Sequence, residues 1–136
     1  MDIPKCELYY DGQTLYAVPG GGIDHHTARP IRELIDEAVT DRRASRLVLD
    51  LSGVDFMDSA GLGLILGRLR HISASGGKLV LLDPTSDIMR ILRLAGLDKR
   101  LAIVEGGSER THLSALRTAP KATGDSNAES RQKKSS

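Results

Sequence analysis

Val54-Asp55-Phe56-Met57-Asp58-Ser59-Ala60-Gly61-Leu62-Gly63 is the stretch on which the fold turns. Before it, Arg46 to Leu51 is a compact apolar run that reads as a strand. After it, Leu62, Ile65, Leu66, Leu69 and Ile72 recur at helical spacing, so a helix is expected from about Ala60 to Ala74 with these residues facing inward. Gly76-Gly77 ends that helix. A short apolar connection therefore delivers Asp58-Ser59 to a helix start. The first N–H groups of a helix lack internal partners and the helix dipole is positive there, so a hydroxyl at this point stands on a rigid element where a phosphate is tolerated. Serine at a helix start is also an ordinary cap, and position alone does not assign it a function. Gly61 and Gly63 carry no side chains, which is expected to let a partner approach closely.

Working outward, Glu7 to Tyr10 and Thr14 to Val18 read as strands of a hairpin about Asp11-Gly12, a pair suited to positive φ. Pro19-Gly20-Gly21-Gly22 breaks the pattern. Asp24 and Thr27 are candidate caps for a helix with Pro30 in its first turn and Ile31, Leu34, Ile35 and Ala38 on one face. Lys78 to Leu82 reads as a strand closed by Pro84, and Thr85 or Ser86 caps a helix carrying Ile88, Ile91, Leu92 and Leu94 that stops at Gly96. Leu101 to Val104 and Ser108 to about Arg117 read as a last strand and helix. Strands alternating with helices after a hairpin imply right-handed parallel crossovers. The expected fold is α/β: an N-terminal β-hairpin leading into a mixed four- to five-stranded sheet with about four helices. Residues 1–117 make one domain, and from Thr118 the chain has almost nothing to bury and reads as a disordered polar tail, 118–136.

The 136 residues hold no Trp, one Phe and three Tyr, and the formal net charge is +1. Nothing in this balance suits a nucleic acid or an anionic membrane. Apolar runs fall short of the roughly 20 residues of a membrane span. Cys6 is the single cysteine, read as a half-buried small residue, and the N-terminus lacks a secretory pattern; the expected location is cytoplasmic.

Other chemistries fit poorly. The surroundings of Ser59 are not the Gly-x-Ser-x-Gly elbow of a hydrolase, and no enzyme activity is expected. His25 and His26 lie on what reads as an extended segment, where adjacent side chains diverge and no further ligand supplements them; no metal is expected. The glycines at 61, 63 and 67 miss the dinucleotide fingerprint by one residue, and no cofactor is expected. Arg90, Arg93, Lys99 and Arg100 form a basic stretch, either a solvated face or a partner edge.

Residues 56–68, Phe-Met-Asp-Ser-Ala-Gly-Leu-Gly-Leu-Ile-Leu-Gly-Arg, resemble the signature of the anti-sigma factor antagonists, members of the sulphate transporter and anti-sigma antagonist (STAS) domain group. A second block, Ile23-Asp24-His25-His26-Thr27-Ala28, is similar to the matching segment of the sporulation members. The resemblance covers about residues 5–117. It implies that Ser59, directly after Asp58, is the phosphorylation site. Ala60 stands where many relatives have a second Ser or Thr, and Gly22 where relatives more often carry a charged residue. The resemblance further implies partner switching. The unphosphorylated chain binds an anti-sigma factor that is a serine kinase and so frees a sigma factor; phosphorylation of Ser59 abolishes binding; a metal-dependent serine phosphatase reverses it. The partner contacts it implies are Asp24, His25, His26, Asp58, Ser59, Ala60, Gly61 and Leu62. Sporulation is the expected setting. The alternatives are a general stress response antagonist and an accessory STAS subunit of a lipid or anion transporter.

Overall fold

A computed structural model of the chain describes residues 5–119. Strands β1 (Cys6–Asp11) and β2 (Thr14–Pro19) form the hairpin, followed by a short strand β3 (Gly21–Ile23) and helix α1 (Ala28–Arg42). Strand β4 (Arg46–Asp50), strand β5 (Val54–Met57) and helix α2 (Ser59–Ser73) carry the central segment. Strand β6 (Lys78–Leu82), helix α3 (Ser86–Leu94), strand β7 (Ala102–Val104) and helix α4 (Gly107–Thr118) complete the order. The main sheet runs β1-β2-β4-β6-β7, with β1 antiparallel to β2 and every later pairing parallel. The expected mixed sheet and four helices are therefore present.

Alternation sorts the strands' side chains into two cores. Leu15, Ala17, Leu47, Leu49, Leu79 and Leu81 join Ile31, Ile35, Ile65, Ile72, Ile88 and Leu92 of α1, α2 and α3 on one face. Tyr16, Val48, Val80 and Leu82 meet Leu113 of α4 on the other. Both faces are covered, which is why β4 and β6 read as unbroken apolar runs rather than alternating ones. The register Leu47↔Leu79, Val48↔Val80, Leu49↔Leu81 keeps like faces together, and a slip of one residue would turn each set to the wrong layer.

Several expectations change in detail. β3 and β5 pair in parallel as a second, two-stranded sheet, where glycines and a short connection had been read as irregular. On α2 the buried stripe is Gly61, Leu64, Ile65, Arg68 and Ile72; Leu62, Leu66 and Leu69 are half-buried at its flank. The helix is apolar around most of its circumference, so spacing alone did not pick the inward side. Leu94 is 82% exposed rather than packed, while Ile88 and Leu92 hold α3 down. Cys6 is fully part of the core, and burial pushes its thiol up to about 12. Thr118 is the last residue of α4, and the tail expected beyond it lies outside the described residues from position 120.

Candidate functional site

The small β3–β5 sheet assembles the site. Its register sets Gly22 against Phe56 and Ile23 against Met57, so the turn after β3 and the start of α2 emerge side by side. The Asp58 N–H donates to the Ile23 carbonyl (3.3 Å), tying the two exits together. The two sequence blocks, separated in the chain by residues 29–55, thus meet at one edge.

Asp58 is the N-cap of α2. Its backbone is extended, and Oδ1 accepts from the Ala60 N–H at 2.8 Å, satisfying one of the orphan donors of the first turn. Ser59 is thereby released from capping: it is the first helical residue, and it is exposed. Ala60 and Leu62 are half-buried beside it. Gly61 is buried. A Cβ there would lie 2.2 Å from Met57 Cγ and 2.9 Å from the Ile23 carbonyl oxygen. The space it leaves faces inward and lets α2 seat on the two strand exits, so the close approach expected of a partner is instead an approach of the chain to itself. Gly63 does face open space.

Asp24 organises the facing turn. Its Oδ1 accepts from the N–H groups of His26 (2.8 Å) and Thr27 (3.1 Å). The His26 N–H contributes most to holding the Asp24 carboxyl below the usual range; desolvation opposes it, and the Thr27 N–H and the two histidines tip the balance downward. Thr27 occupies the N-cap position of α1 without a side-chain cap bond; its hydroxyl accepts from the Asp24 N–H and donates to the Gly22 carbonyl. The histidines do not diverge as expected, because the segment is a turn rather than extended. Their ring centroids are 4.0 Å apart, His26 Nδ1 is 3.9 Å from Asp24 Oδ1, and His25 Nδ1 is 3.9 Å from Asp58 Oδ2. The structure therefore brings Asp24, His25, His26, Asp58 and Ser59 onto one exposed edge. Phe56, to which the sequence analysis assigns no role, stands on β5 just before this edge and is 53% exposed.

A separate charged cluster joins α4 to the main sheet. Fully buried Asp50 accepts from both terminal guanidinium nitrogens of Arg110 (2.7 and 3.0 Å) and from the Ser52 N–H. Asp83 accepts Arg110 Nε and the Gly106 N–H. Burial pushes the Asp50 carboxyl up, and Arg110 with Ser52 more than offsets it, so the net displacement is downward. Among the described residues, no group of three or more His, Cys, Asp or Glu side chains is placed to hold a metal ion, and no helix is long and apolar enough to cross a membrane.

Comparison with known proteins bears on the family and the fold. The STAS domain family matches residues 10–109. An anti-sigma F factor antagonist of Paenibacillus polymyxa is 40% identical over 74% of this chain and 86% of its own length. One of Lysinibacillus sphaericus is 36% identical over 57% of this chain and 66% of its own length. The solved structure of the Bacillus cell fate determinant SpoIIAA in its phosphorylated form superposes with a TM-score of 0.64 at 26% identity, covering 81% of this chain and 98% of that one. With its hairpin, mixed sheet and Asp-Ser helix start, the chain belongs to the STAS domain family, within its anti-sigma factor antagonists.

Proposed function

We propose that this chain is the phosphorylatable switch of a sigma factor pathway, with Ser59 as the acceptor. Unmodified, it binds an anti-sigma factor through Asp24, His25, His26, Asp58, Ser59, Ala60 and Leu62, with Gly61 seating the helix beneath them, and the bound sigma factor is released. The anti-sigma factor is itself a serine kinase. Ser59 Oγ attacks the γ-phosphorus of ATP, the bond to the β-phosphate oxygen breaks, ADP departs, and the hydroxyl proton passes to a base on the kinase. The phosphorylated chain dissociates, and a metal-dependent serine phosphatase returns it to the first state. The chain works in the cytoplasm as substrate and ligand rather than as an enzyme.

The observation that carries this reading is an exposed Ser59 hydroxyl at the first position of α2, freed from capping by Asp58. Phosphate adds about −1.5 to −2 charges beside that carboxylate. Burying such a dianion against a docked protein costs several kcal/mol, and about 5.5 kcal/mol of differential affinity moves a two-state balance from mostly bound to mostly free. No refolding of the domain is needed. The sigma F names of the two relatives, together with the His25-His26 block, favour sporulation over the general stress response.

Incubation with the purified kinase and ATP tests the assignment. Ser59→Ala is expected to take up no phosphate and to stay bound to the kinase, while Ser59→Asp, carrying part of the charge, binds at least about tenfold more weakly. Phosphate on the Ser59→Ala domain, found by mass spectrometry, would remove Ser59 from its role.

A further inference from the structure

Phe56 is the chain's single phenylalanine and one of two large apolar side chains left exposed among the described residues. On β5, Val54 and Met57 point into the core, while Asp55 and Phe56 are both exposed. The ring therefore adds nothing comparable to a core contact. It lies alongside Gly22 of the paired strand: a Cβ at position 22 would sit 3.5 Å from Phe56 Cδ2 and 3.7 Å from its Cβ, in ordinary contact. Any larger side chain at 22 would lie along the ring and shield it from the outside. Glycine leaves that side of the ring uncovered, at a position where backbone strain does not demand glycine. Gly22 and Phe56 are the register pair next to Ile23 and Met57, and the Asp58 N–H bonds the Ile23 carbonyl, so this apolar spot adjoins the strand exits that lead to Asp24 and Ser59.

Resting on the reading of Ser59 given above, we infer that Phe56, uncovered by Gly22, is the apolar anchor by which the anti-sigma factor kinase docks on this edge. Its occupant is an apolar side chain of that kinase. An exposed aromatic that becomes fully desolvated in a complex is the usual centre of binding energy, and the contacts around it exclude water. Here the excluded region includes Ser59. A phosphate added at the margin of a dry aromatic contact loses its hydration when the partner docks, whereas the same phosphate in a wet contact keeps it. Phe56 thus both holds the partner and sharpens the response to phosphorylation. The switch is a dry contact beside a chargeable hydroxyl, and Gly22 sets which partners have access to it.

Titration of full-length wild type, Phe56→Ala and Gly22→Gln against the purified kinase, each unmodified and phosphorylated at Ser59, tests this. Phosphoserine is introduced by genetic encoding, so that poor kinase substrates are still compared. Unmodified Phe56→Ala is expected to bind about fivefold or more weaker than wild type with an unchanged melting temperature. Its ratio of unmodified to phosphorylated affinity should also narrow by about fivefold or more. Gly22→Gln keeps the ring but covers it without adding charge and should weaken binding likewise, which decides the matter if Phe56→Ala folds poorly. A loss below fivefold in the well-folded variant, or an unchanged phosphorylation ratio, overturns the role of Phe56 while leaving Ser59 in place. Failure of unmodified wild type to bind the kinase at all overturns both readings.

Discussion

At Asp58 one carboxylate serves two ends. Oδ1 caps α2 through the Ala60 N–H, and Oδ2 faces His25 across the gap between the strand exits. The two uses separate on substitution, because asparagine caps a helix as well as aspartate while alanine does not. Asp58→Ala is expected to lower stability by about 1 kcal/mol, and Asp58→Asn by no more than a few tenths, read as urea midpoints. Both remove the negative charge next to the acceptor, so a difference between them in kinase affinity reports the cap and a shared loss reports the charge. Ser59 and Asp58 were legible as a pair because capping chemistry and the adjacent hydroxyl leave a local signature. The pairing of the histidine rings was not, since adjacent residues diverge on an extended segment and converge only in the turn that Asp24 closes with its two N–H contacts.

Among the elements, the two-stranded sheet determines whether the site exists. β3 is three residues long and two of them are glycine, so neither length nor alternation announces a strand. Its partner β5 has the burial order in-out-out-in, which likewise defeats a period-two reading. α3 packs against β5, and α2 is seated on the strand exits through Gly61 against Met57 and the Ile23 carbonyl. Gly61→Ala forces the helix off that seat, since the backbone oxygen at 2.9 Å cannot rotate away as the Met57 side chain can. A destabilisation of about 1–3 kcal/mol is expected in chemical denaturation, with loss of partner binding exceeding the loss of folded protein. Gly63→Ala, which meets open space, should cost far less and is the control. The helices and the long strands were readable from periodicity because each buries a whole stripe or both faces; the inward side of α2 was misjudged because its flank is apolar as well.

For the molecule as a whole, the Asp50–Arg110–Asp83 cluster fastens α4 over the second core layer, joining it to the end of β4, 60 positions earlier in the chain, and to the residue after β6, 27 positions earlier. Removing the cation strands a buried carboxylate, and Arg110→Met is expected to cost about 3–5 kcal/mol in denaturation. Because the folded-state value of Asp50 lies below the unfolded one, the folded chain binds fewer protons there. That contribution is complete above about pH 4 and fades as the pH falls through the folded-state value. Wild type should accordingly lose urea resistance on acidification in this range more steeply than Arg110→Met. Sequence spacing gives no hint of this cluster, whose members come from β4, the residue after β6, and α4, and are brought together by the sheet.

In the proposed switch, one phosphate on Ser59 converts a binding surface into a non-binding one without refolding the domain. Isothermal titration of the purified kinase with the unmodified chain and with the chain carrying phosphoserine at 59 measures this directly. A fall in affinity of about 10⁴-fold is expected, with the two forms giving superimposable circular dichroism spectra. Equal affinities for the two forms would contradict the account.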